Sequence, residues 1–423
     1  MSLPLRETER KQRDAKRDAE RDAERGAPGE RPAAQGIDYL ALARELAADF
    51  AQRADHYDRT GEFVHENIAA LLRSGYTAMT VPTAHGGGGA SLEQLCRAQE
   101  ALAAGCGSTA WAVNMHVHGV ALLNHLQDAD LEWAYEEIVA GRGFLAGGFS
   151  EPGVGGNWWY PTSRARPVAG GYLLNGRKSF FTGFPAATIL FLTGVEKDER
   201  GVDQSLGFLL PRPESGIRIE RPWEACGMRG TGSHSLVVED LFIPARYAVG
   251  RRGEIPLLFM RGVHWAWCSF AAVYVGIAAG ALEHVIQVVR ERRLAVLPKP
   301  LAHLPGVQFR VAEMKVKLEA ARAALYQAAV QPAQPESAPP DPIGHYVETS
   351  LMKLATCRLA QEIVTLALEV MGGSGYTTAD PVQRMYRDVA AGVLLPPPAD
   401  VALEWGGKHA LGVPVLGEPR WGE

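Results

Sequence analysis

Three long segments in the C-terminal part of the chain have an uninterrupted helical period, and they constrain the fold more than any other feature. Apolar side chains recur three and four positions apart through residues 263–293, 307–330 and 345–373. Segments of this length are too long for small connecting helices, because each must bury an apolar face along its whole length. The pattern therefore predicts a helical bundle at the C-terminal end.

Two other patterns precede these long segments. Residues 38–141 contain shorter helical patterns, and Ser91 is placed to cap the helix that follows the HGGGG run. Between about residues 142 and 251 the pattern changes to β-strands such as TILFLTGV and SHSLVVEDLFIP, and the pair Asn175-Gly176 predicts a hairpin. The predicted order is helices, a β-domain and a helical bundle.

We predict four regions from this order. They are a disordered charged tail at residues 1–36, an N-terminal helical domain at 37–141, a middle β-domain at 142–251 and a C-terminal helical bundle at 252–423. The tail mixes basic and acidic residues in near balance and has few large apolar side chains. Such a segment cannot bury enough surface to offset the entropy cost of ordering it.

Composition and patterning exclude several classes of function. A formal net charge of −5 leaves no basic surface for nucleic acid, and the five cysteines show no spacing typical of a zinc site or a disulfide framework. The sequence indicates no signal peptide and no apolar run long enough to span a membrane. We therefore expect a cytoplasmic protein with a small-molecule substrate and with no metal, nucleic-acid or membrane partner.

Four motifs in these regions resemble the acyl-CoA dehydrogenase superfamily when they are taken together. They are FSEPGVGG at 149–156, GRKSFFTG at 176–183, GMRGTGSHSLVVEDLFIP at the end of the β-domain, and VMGGSGY followed by DPVQRMYRD. The resemblance extends from about residue 38 to residue 412. It implies an α+β fold with an N-terminal helical domain, a middle β-barrel or sandwich and a C-terminal four-helix bundle. It also implies a flavin-dependent oxidoreductase.

The resemblance implies FAD as the cofactor and leaves open FMN or a reduced diffusible flavin. Phe149 and Ser150 would supply amides and a hydroxyl to the flavin ring, Thr182 would bond near N5, and Phe180 would stack on the ring. Amides and hydroxyls suit the ring edge, because negative charge develops there when the flavin accepts a hydride. Plain core packing is the alternative for both phenylalanines.

The resemblance also places the cofactor's diphosphate partly on a neighbouring subunit, at Arg292, Gly372 and Gly373. Glycine lets a backbone approach a phosphate, and arginine can pair with it. Leu294 and Glu369 depart from the family's pattern here, and a solvated surface role is the alternative for Arg292. A site shared in this way requires a homodimer or a homotetramer.

The family's usual catalytic base is a carboxylate that removes the α-proton of an acyl-CoA. Counting from Arg387-Asp388 places Pro396 at its position, and the second position that some members use falls on Ala266. Neither side chain can accept a proton. Asp400 is the nearest carboxylate in sequence, and stabilisation of a helix N-terminus is the alternative role for it.

Two groups of side chains are candidates for contacts with the substrate. His264, Trp265 and Trp267 form an aromatic group that suits a bulky or cyclic substrate, or that packs in the core. His116 and His118 lie in STAWAVNMHVHG, which resembles a stretch of flavin-dependent monooxygenases in the superfamily. A histidine there would assist oxygen chemistry or proton transfer, and packing within a helix is the alternative.

Three hypotheses for the function follow. The first is α,β-dehydrogenation of an acyl-CoA or a related bulky substrate, with an electron-transfer flavoprotein as a partner. The second is a flavin-dependent monooxygenase that uses reduced flavin and oxygen, with a flavin reductase as a partner. The third is a flavin-free structural or interaction protein with the same fold. The missing carboxylate favours the second hypothesis, because an oxygenase needs no α-proton base.

Overall fold

The computed structural model describes residues 34–126, 130–154, 161–296, 298–330 and 341–415. Helices come first in this part of the chain, a sheet follows, and longer helices come last. This order confirms the predicted fold class. The predicted tail lies almost wholly outside the described residues, and the predicted domain boundaries remain predictions.

Five α-helices are described before the sheet, and local sequence signals set several of their ends. They are α1 (Tyr39–Thr60), α2 (His65–Arg73), α3 (Leu92–Gly105), α4 (Gly107–Leu123) and α5 (Glu132–Val139). The Asp38 side chain accepts hydrogen bonds from two amides in the first turn of α1, and Gly61, at φ 72°, ends that helix. The predicted cap at Ser91 is confirmed as a capping box with Gln94.

The middle of the chain forms one eight-stranded sheet. Its strands are β1 (Leu145–Gly148), β2 (Arg164–Val168), β3 (Gly171–Phe181), β4 (Ile189–Lys197), β5 (Asp203–Pro211), β6 (Ile217–Arg221), β7 (His234–Pro244) and β8 (Ala248–Val249). The order is β6–β7–β3–β2–β4–β5–β8, and β1 pairs with β4. Ile189 and Phe191 of β4 join the helical core, whereas Leu190 and Leu192 join a core within the sheet.

The predicted hairpin at Asn175-Gly176 is wrong. β3 runs through both residues and pairs with β7, with a register shift between Leu174 and Gly176. The Asn175 side chain donates to Asp240 on β7 at 3.0 Å, and a Cβ at Gly176 would lie 2.1 Å from the Ser163 hydroxyl oxygen. The pair marks a bulge, because a neighbouring strand rather than a turn requires the small residue there.

Three long helices and two shorter ones follow the sheet. They are α6 (Ile255–Glu291), α7 (Pro305–Val330), α8 (Pro342–Met371), α9 (Pro381–Val389) and α10 (Ala399–Ala410). Asp341 and Asp380 cap α8 and α9 directly before a proline at the first helical position. α6 packs against α7 and α8, and α9 and α10 pack against α8.

The interpretation that no segment is apolar and long enough to span a membrane needs correction. By length and composition alone, α6 is such a helix, and it is the one found among the described residues. It packs against α3, α4, α7 and α8, and 67% of its most apolar stretch of 18 residues is buried inside the protein. A central position in a helical core therefore explains its apolar composition.

Candidate functional site

The two motifs of the β-domain meet near the end of β3. The Ser179 amide donates to the Ser150 carbonyl at 2.8 Å. Ser150 therefore lies beside the residue that precedes Phe180, and Thr182 follows two residues later. The structure thus brings together three of the predicted ring contacts, which are Ser150, Phe180 and Thr182.

Phe180 has an unusual backbone and an unusual exposure. Its φ of 55° lies in the left-handed region, which is unfavourable for an aromatic residue. Phe180 is 64% exposed, and among the described residues its ring meets the edge of Trp223, with 6.1 Å between the ring centroids. This exposure argues against core packing. The backbone holds a flat apolar ring outward, where a planar ligand can stack on it.

The Phe149 side chain, in contrast, is part of the core. Its ring meets Phe191 and Phe259 edge to face, with centroid distances of 5.2 and 5.0 Å. The packing alternative is therefore favoured for the side chain. The backbone of Phe149 remains a candidate for the predicted amide contact, because it directly precedes Ser150.

A buried ion pair fastens the two motifs to each other. The Lys178 ammonium donates to the Glu151 carboxylate, and neither side chain is more than 1% exposed. Glu151 also accepts from the amides and the hydroxyls of Thr162 and Ser163, and Lys178 donates to the Thr193 carbonyl at 2.7 Å. Both charges are therefore compensated inside the protein, as buried charges must be.

The sequence analysis missed this pair, although its members lie inside the two motifs. Burial alone would raise the pKa of Glu151, but the Lys178 ammonium and the hydroxyl donors more than offset burial and hold that pKa below its usual value. Glu151 directly follows Ser150, and Lys178 lies two residues before Phe180. The pair therefore sets the relative positions of the residues that would contact a ring.

A chain of three buried hydroxyls ends at Thr182. Thr182 Oγ1 lies 2.8 Å from Ser233 Oγ, which lies 2.7 Å from Thr231 Oγ1. The Gly183 amide donates to the Thr231 carbonyl at 3.0 Å, so the end of β3 is joined to the loop before β7. The sequence analysis predicted Thr182 but missed Ser233, which is 51 residues further along the chain.

The same loop is tied to the helices by the Arg-Asp pair of the C-terminal motif. The Asp388 carboxylate accepts the Met228 amide, and Arg387 pairs with Asp58 at the end of α1. Burial raises the pKa of Asp388 to about 6. These contacts fix the loop that carries Thr231 against the C-terminal helices.

The predicted phosphate ligands form a separate group. Arg292 Nη1 donates to the Met371 carbonyl at 3.4 Å, directly before Gly372. The φ of Gly372 is 62°, which glycine adopts without strain, and a Cβ at Gly372 or Gly373 would meet nothing within 4 Å. The space in front of both glycines is open. Across the described ranges, no hydrogen bond joins this group to the predicted ring contacts.

His116 is a structural residue, which corrects the prediction of a catalytic role. Its Nδ1 accepts from the Leu145 amide at 2.8 Å, so its Nε2 donates to the Thr77 carbonyl at 2.9 Å. The ring also stacks on Phe144. Burial lowers the pKa of His116 to about 4, so the ring is neutral at neutral pH. With both nitrogens bonded to backbone, neither is left for a substrate.

His118 remains a candidate, but as a hydrogen-bond acceptor. Its Nδ1 lies 2.6 Å from the Asn114 carbonyl and must carry the proton, because a carbonyl only accepts. Its Nε2 therefore presents a lone pair. Burial lowers the pKa of His118 to about 4, which makes the ring a weak base at neutral pH. The ring meets Phe270 of α6 edge to face at 5.2 Å.

The aromatic group around Trp267 lies in the core, so the structure favours the packing alternative for its rings. Trp267 is fully buried, with its ring 4.6 Å from Tyr346 and 6.3 Å from Trp405. His264 is also buried, and this lowers its pKa to about 3. Trp265 packs against the same core from a half-buried position. Packing does not account for every polar atom, because Trp267 Nε1 and His264 Nε2 are buried with no hydrogen-bond partner among the described residues. A contact of this group with a substrate stays a prediction.

The proline run is held by a lysine that the sequence analysis missed. The ammonium of Lys353, on α8, donates to the Leu395 carbonyl at 2.8 Å and to the Pro397 carbonyl at 3.2 Å. Lys353 is fully buried, and burial lowers its pKa. The lysine thus satisfies two carbonyl oxygens of the turn that contains Pro396.

Neither predicted location supplies a buried carboxylate. Ala266 is buried in α6, and Pro396 stands in the turn that Lys353 holds. Asp400 is exposed in the first turn of α10, and its role as a base stays a prediction. Its position fits the alternative role, because a carboxylate stabilises a helix N-terminus.

A cavity of about 890 Å³ lies away from these residues, between α1, α3, α6 and α7. The buried Glu100 in its wall is already paired, since Arg322 and Tyr326 both donate to it. In the part of the chain that the structure describes, no group of three or more His, Cys, Asp or Glu side chains is placed to hold a metal ion. We therefore place the candidate site at Phe180 and Thr182 rather than at the cavity.

Three family models match successive parts of the chain. Their descriptions are "Acyl-CoA dehydrogenase, N-terminal domain" at residues 38–130, "Acyl-CoA dehydrogenase, middle domain" at 146–241 and "Acyl-CoA dehydrogenase, C-terminal domain" at 258–394. The matches follow the same order as the helices, sheet and helices of the fold.

Two curated relatives match over most of their length. The chain is 30% identical to the putative acyl-CoA dehydrogenase YdbM of Bacillus subtilis, over 87% of this chain and 95% of the relative. It is 28% identical to the caffeyl-CoA reductase-Etf complex subunit CarC of Acetobacterium woodii, over 82% of this chain and 91% of the relative.

Two solved structures share the fold. Butyryl-CoA dehydrogenase from Megasphaera elsdenii superposes with a TM-score of 0.79 at 26% identity, covering 89% of this chain and 98% of that one. KijD3, in complex with FMN and a dTDP-linked amino keto sugar, superposes with a TM-score of 0.78 at 26% identity, covering 90% of this chain and 96% of that one.

Proposed function

Because the chain belongs to the acyl-CoA dehydrogenase family, we propose that it is a flavin-dependent oxidoreductase that acts on an acyl-CoA or a related bulky substrate by α,β-dehydrogenation. The convergence of Ser150, Phe180 and Thr182 on one place supports this proposal. Phe180 offers a flat apolar face outward, and the Thr182 hydroxyl, two residues further along, offers a donor. A planar ring with a polar edge fits this set of groups.

When bound, the flavin would supply the hydride acceptor. Phe180 would pack on its ring, while Ser150 and Thr182 would bond to its polar edge. Arg292 would pair with the diphosphate of FAD, and the open space at Gly372 and Gly373 would let the backbone approach it. Because this second group is not joined to the first, we propose that the two groups of one site come from different subunits.

The turn at Pro396 favours a second candidate, a flavin-dependent monooxygenase. A dehydrogenase needs a group that accepts the α-proton, and neither Pro396 nor Ala266 can do so. Asp400 is exposed, and both nitrogens of His116 are bonded to backbone. KijD3 has the same fold and holds FMN with a sugar nucleotide, so substrates other than CoA thioesters are within reach of this architecture.

Exposed apolar side chains on α7 support self-association. Phe309 and Val316 are 74% and 70% exposed, and they lie seven residues apart, hence on one face of the helix. We propose that this face is covered in a homodimer or homotetramer. An electron-transfer flavoprotein is the proposed partner of a dehydrogenase, by analogy with the Etf complex of CarC, and a flavin reductase is that of a monooxygenase. A cytoplasmic location stays a prediction.

A flavin titration and two turnover experiments test the proposal. Oxidised FAD and FMN are titrated into the protein, into Thr182→Leu and into a control, Thr365→Leu, whose threonine is exposed on α8. We expect weaker binding only in Thr182→Leu, because its hydroxyl and its space are lost. A folded protein that binds no flavin would instead support the third hypothesis, a flavin-free protein with this fold.

The turnover experiments separate the two reactions. Anaerobic mixing with a panel of acyl-CoA thioesters bleaches the flavin only if the protein is a dehydrogenase. Oxygen consumption with a flavin reductase, coupled to product formation rather than to peroxide release, identifies a monooxygenase. Bleaching by an acyl-CoA would exclude the second candidate as the main reaction.

A further inference from the structure

The hydroxyl chain from Thr231 through Ser233 to Thr182 has a preferred direction. Each hydroxyl has one hydrogen to donate, so the chain can donate outward to Thr182 or inward to Thr231. Ser233 is the one hydrogen-bond partner of the Thr231 hydroxyl among the described residues. In the inward direction the Thr231 hydrogen would therefore have no acceptor, and Thr231 is fully buried. The outward direction is favoured, because a buried unpaired donor is costly.

In the outward direction the Thr182 hydrogen is available to a ligand. Thr182 accepts from Ser233 at 2.8 Å, and within the described part of the chain its own hydroxyl has one alternative acceptor, the Phe180 carbonyl, at 3.4 Å. A bond of that length is weak. A hydroxyl that already accepts a hydrogen bond is a stronger donor and has less capacity left to accept. Thr182 is therefore set up as a donor beside the exposed Phe180 ring.

We propose that this chain is a polarised donor that binds an oxidised flavin more tightly than a reduced one. The proposal rests on the proposed flavin site. The N5 atom of an oxidised flavin accepts a hydrogen bond, whereas in a reduced flavin it carries a hydrogen and donates. Ser233 never touches the flavin in this scheme, so it is a positioning residue that acts through Thr182. Its own hydrogen has Thr182 as acceptor with or without the Thr231 hydroxyl, so the preference does not require Thr231.

This preference has a consequence for the reaction. By linkage, a protein that binds the oxidised form more tightly lowers the reduction potential of its flavin. A lower reduction potential makes a resident flavin harder for a substrate to reduce. Tighter binding of the oxidised form also does not suit a protein that captures reduced flavin from a separate reductase. The hydroxyl chain therefore gives no ground for choosing between the two candidate reactions.

The test measures the dissociation constants of oxidised and of chemically reduced FAD and FMN by anaerobic titration calorimetry on the whole protein. Ser233→Ala removes the donor to Thr182. Thr231→Val is the matched variant, because it removes a buried hydroxyl of the same chain but leaves Ser233 to donate to Thr182. Thr365→Val, at an exposed position on α8, is the surface control.

We expect the wild type to prefer the oxidised flavin, and Ser233→Ala to reduce that preference about three- to tenfold, which is the worth of one hydrogen bond. Thr231→Val and Thr365→Val should keep the preference within about twofold. If Ser233 had only a structural role, Ser233→Ala and Thr231→Val would change the preference for oxidised flavin to the same extent. If Ser233→Ala does not fold, Ser233→Cys, whose thiol is a weak donor, replaces it.

The outcomes distinguish the two levels of the proposal. A folded wild type that binds neither form of flavin overturns the proposed function and the hydroxyl chain together. Flavin binding with equal oxidised-to-reduced ratios in the wild type and in Ser233→Ala overturns the polarised chain alone. Equal losses of the preference for oxidised flavin in Ser233→Ala and Thr231→Val also overturn the proposal of a polarised chain.

Discussion

The two members of the buried pair Glu151–Lys178 should be energetically coupled, so that the double variant costs less stability than the sum of the two single variants. Glu151→Gln keeps the size of the side chain and an oxygen that can accept from Lys178, but it removes the negative charge that compensates the buried ammonium. Lys178→Met leaves the carboxylate with four donors, the amides and hydroxyls of Thr162 and Ser163. The two single variants are therefore not equivalent.

The structure gives the order and the size of the effects. Glu151→Gln should lower the free energy of unfolding by about 3–5 kcal/mol, the range for a buried charge that has lost its partner. Lys178→Met should cost about 2 kcal/mol, because the remaining donors still compensate the carboxylate. The double variant should cost at least about 1.5 kcal/mol less than the sum of the single variants.

The effect of pH has a defined sign. The pKa of Glu151 is lowered in the folded protein, so the folded state gains stability above the unfolded pKa and loses it as pH falls through the folded value. The difference in stability between the wild type and Glu151→Gln should therefore narrow as pH falls below about 4.5, the unfolded value.

Urea unfolding followed by tryptophan fluorescence measures these free energies, and visible absorbance measures flavin retention in the same samples. The pair Arg218–Glu239, on β6 and β7, is the control, because both side chains are more than half exposed. Arg218→Met and Glu239→Gln should each cost less than about 1 kcal/mol. Additive costs at Glu151 and Lys178, within about 0.5 kcal/mol, would refute the coupling.

Three further perturbations follow from the described contacts. His116→Gln removes a ring whose folded pKa is about 4 against 6.5 unfolded. Between these two pKa values the unfolded wild type binds a proton that the folded wild type does not. The free energy of unfolding of the wild type should therefore lose up to about 3 kcal/mol of its advantage over His116→Gln as the pH falls from 6.5 to 4, which urea titrations measure. Asp400→Asn should change turnover less than about twofold, because the residue is exposed. A loss of turnover of about 10² or more would instead identify Asp400 as the base that accepts the α-proton. Phe309→Asp should give smaller assemblies by light scattering, and an unchanged mass would exclude this face of α7 from the interface.

The sequence by itself determined the features that depend on a few neighbouring residues. The Ser91–Gln94 capping box and the strands in TILFLTGV and SHSLVVEDLFIP formed as predicted. Helix caps and strand patterns are set by backbone preferences and side-chain periodicity over short stretches. The order of these elements, together with the four motifs that resemble the acyl-CoA dehydrogenase superfamily, gave the predicted fold class.

Site residues were predictable where they lie inside a motif, and their surroundings were not. Ser150, Phe180 and Thr182 were predicted and do lie close together, although their contact with a flavin stays a prediction. Nothing in the sequence predicted that Phe180 would be 64% exposed at a φ of 55°. Exposure depends on what the rest of the chain covers, which the local pattern does not contain.

Only the tertiary structure decided which polar groups meet. Glu151 pairs with Lys178, which is 27 residues away in sequence, and Thr182 is hydrogen-bonded to Ser233, which is 51 residues away. The same long-range packing overturned two predictions, because the Asn175-Gly176 pair became a bulge against a neighbouring strand and His116 was bonded on both nitrogens. It also left Asp400 at the surface, where the alternative role at a helix N-terminus fits. Burial and hydrogen-bond partners arise from segments distant in sequence, so local residue preferences cannot specify them.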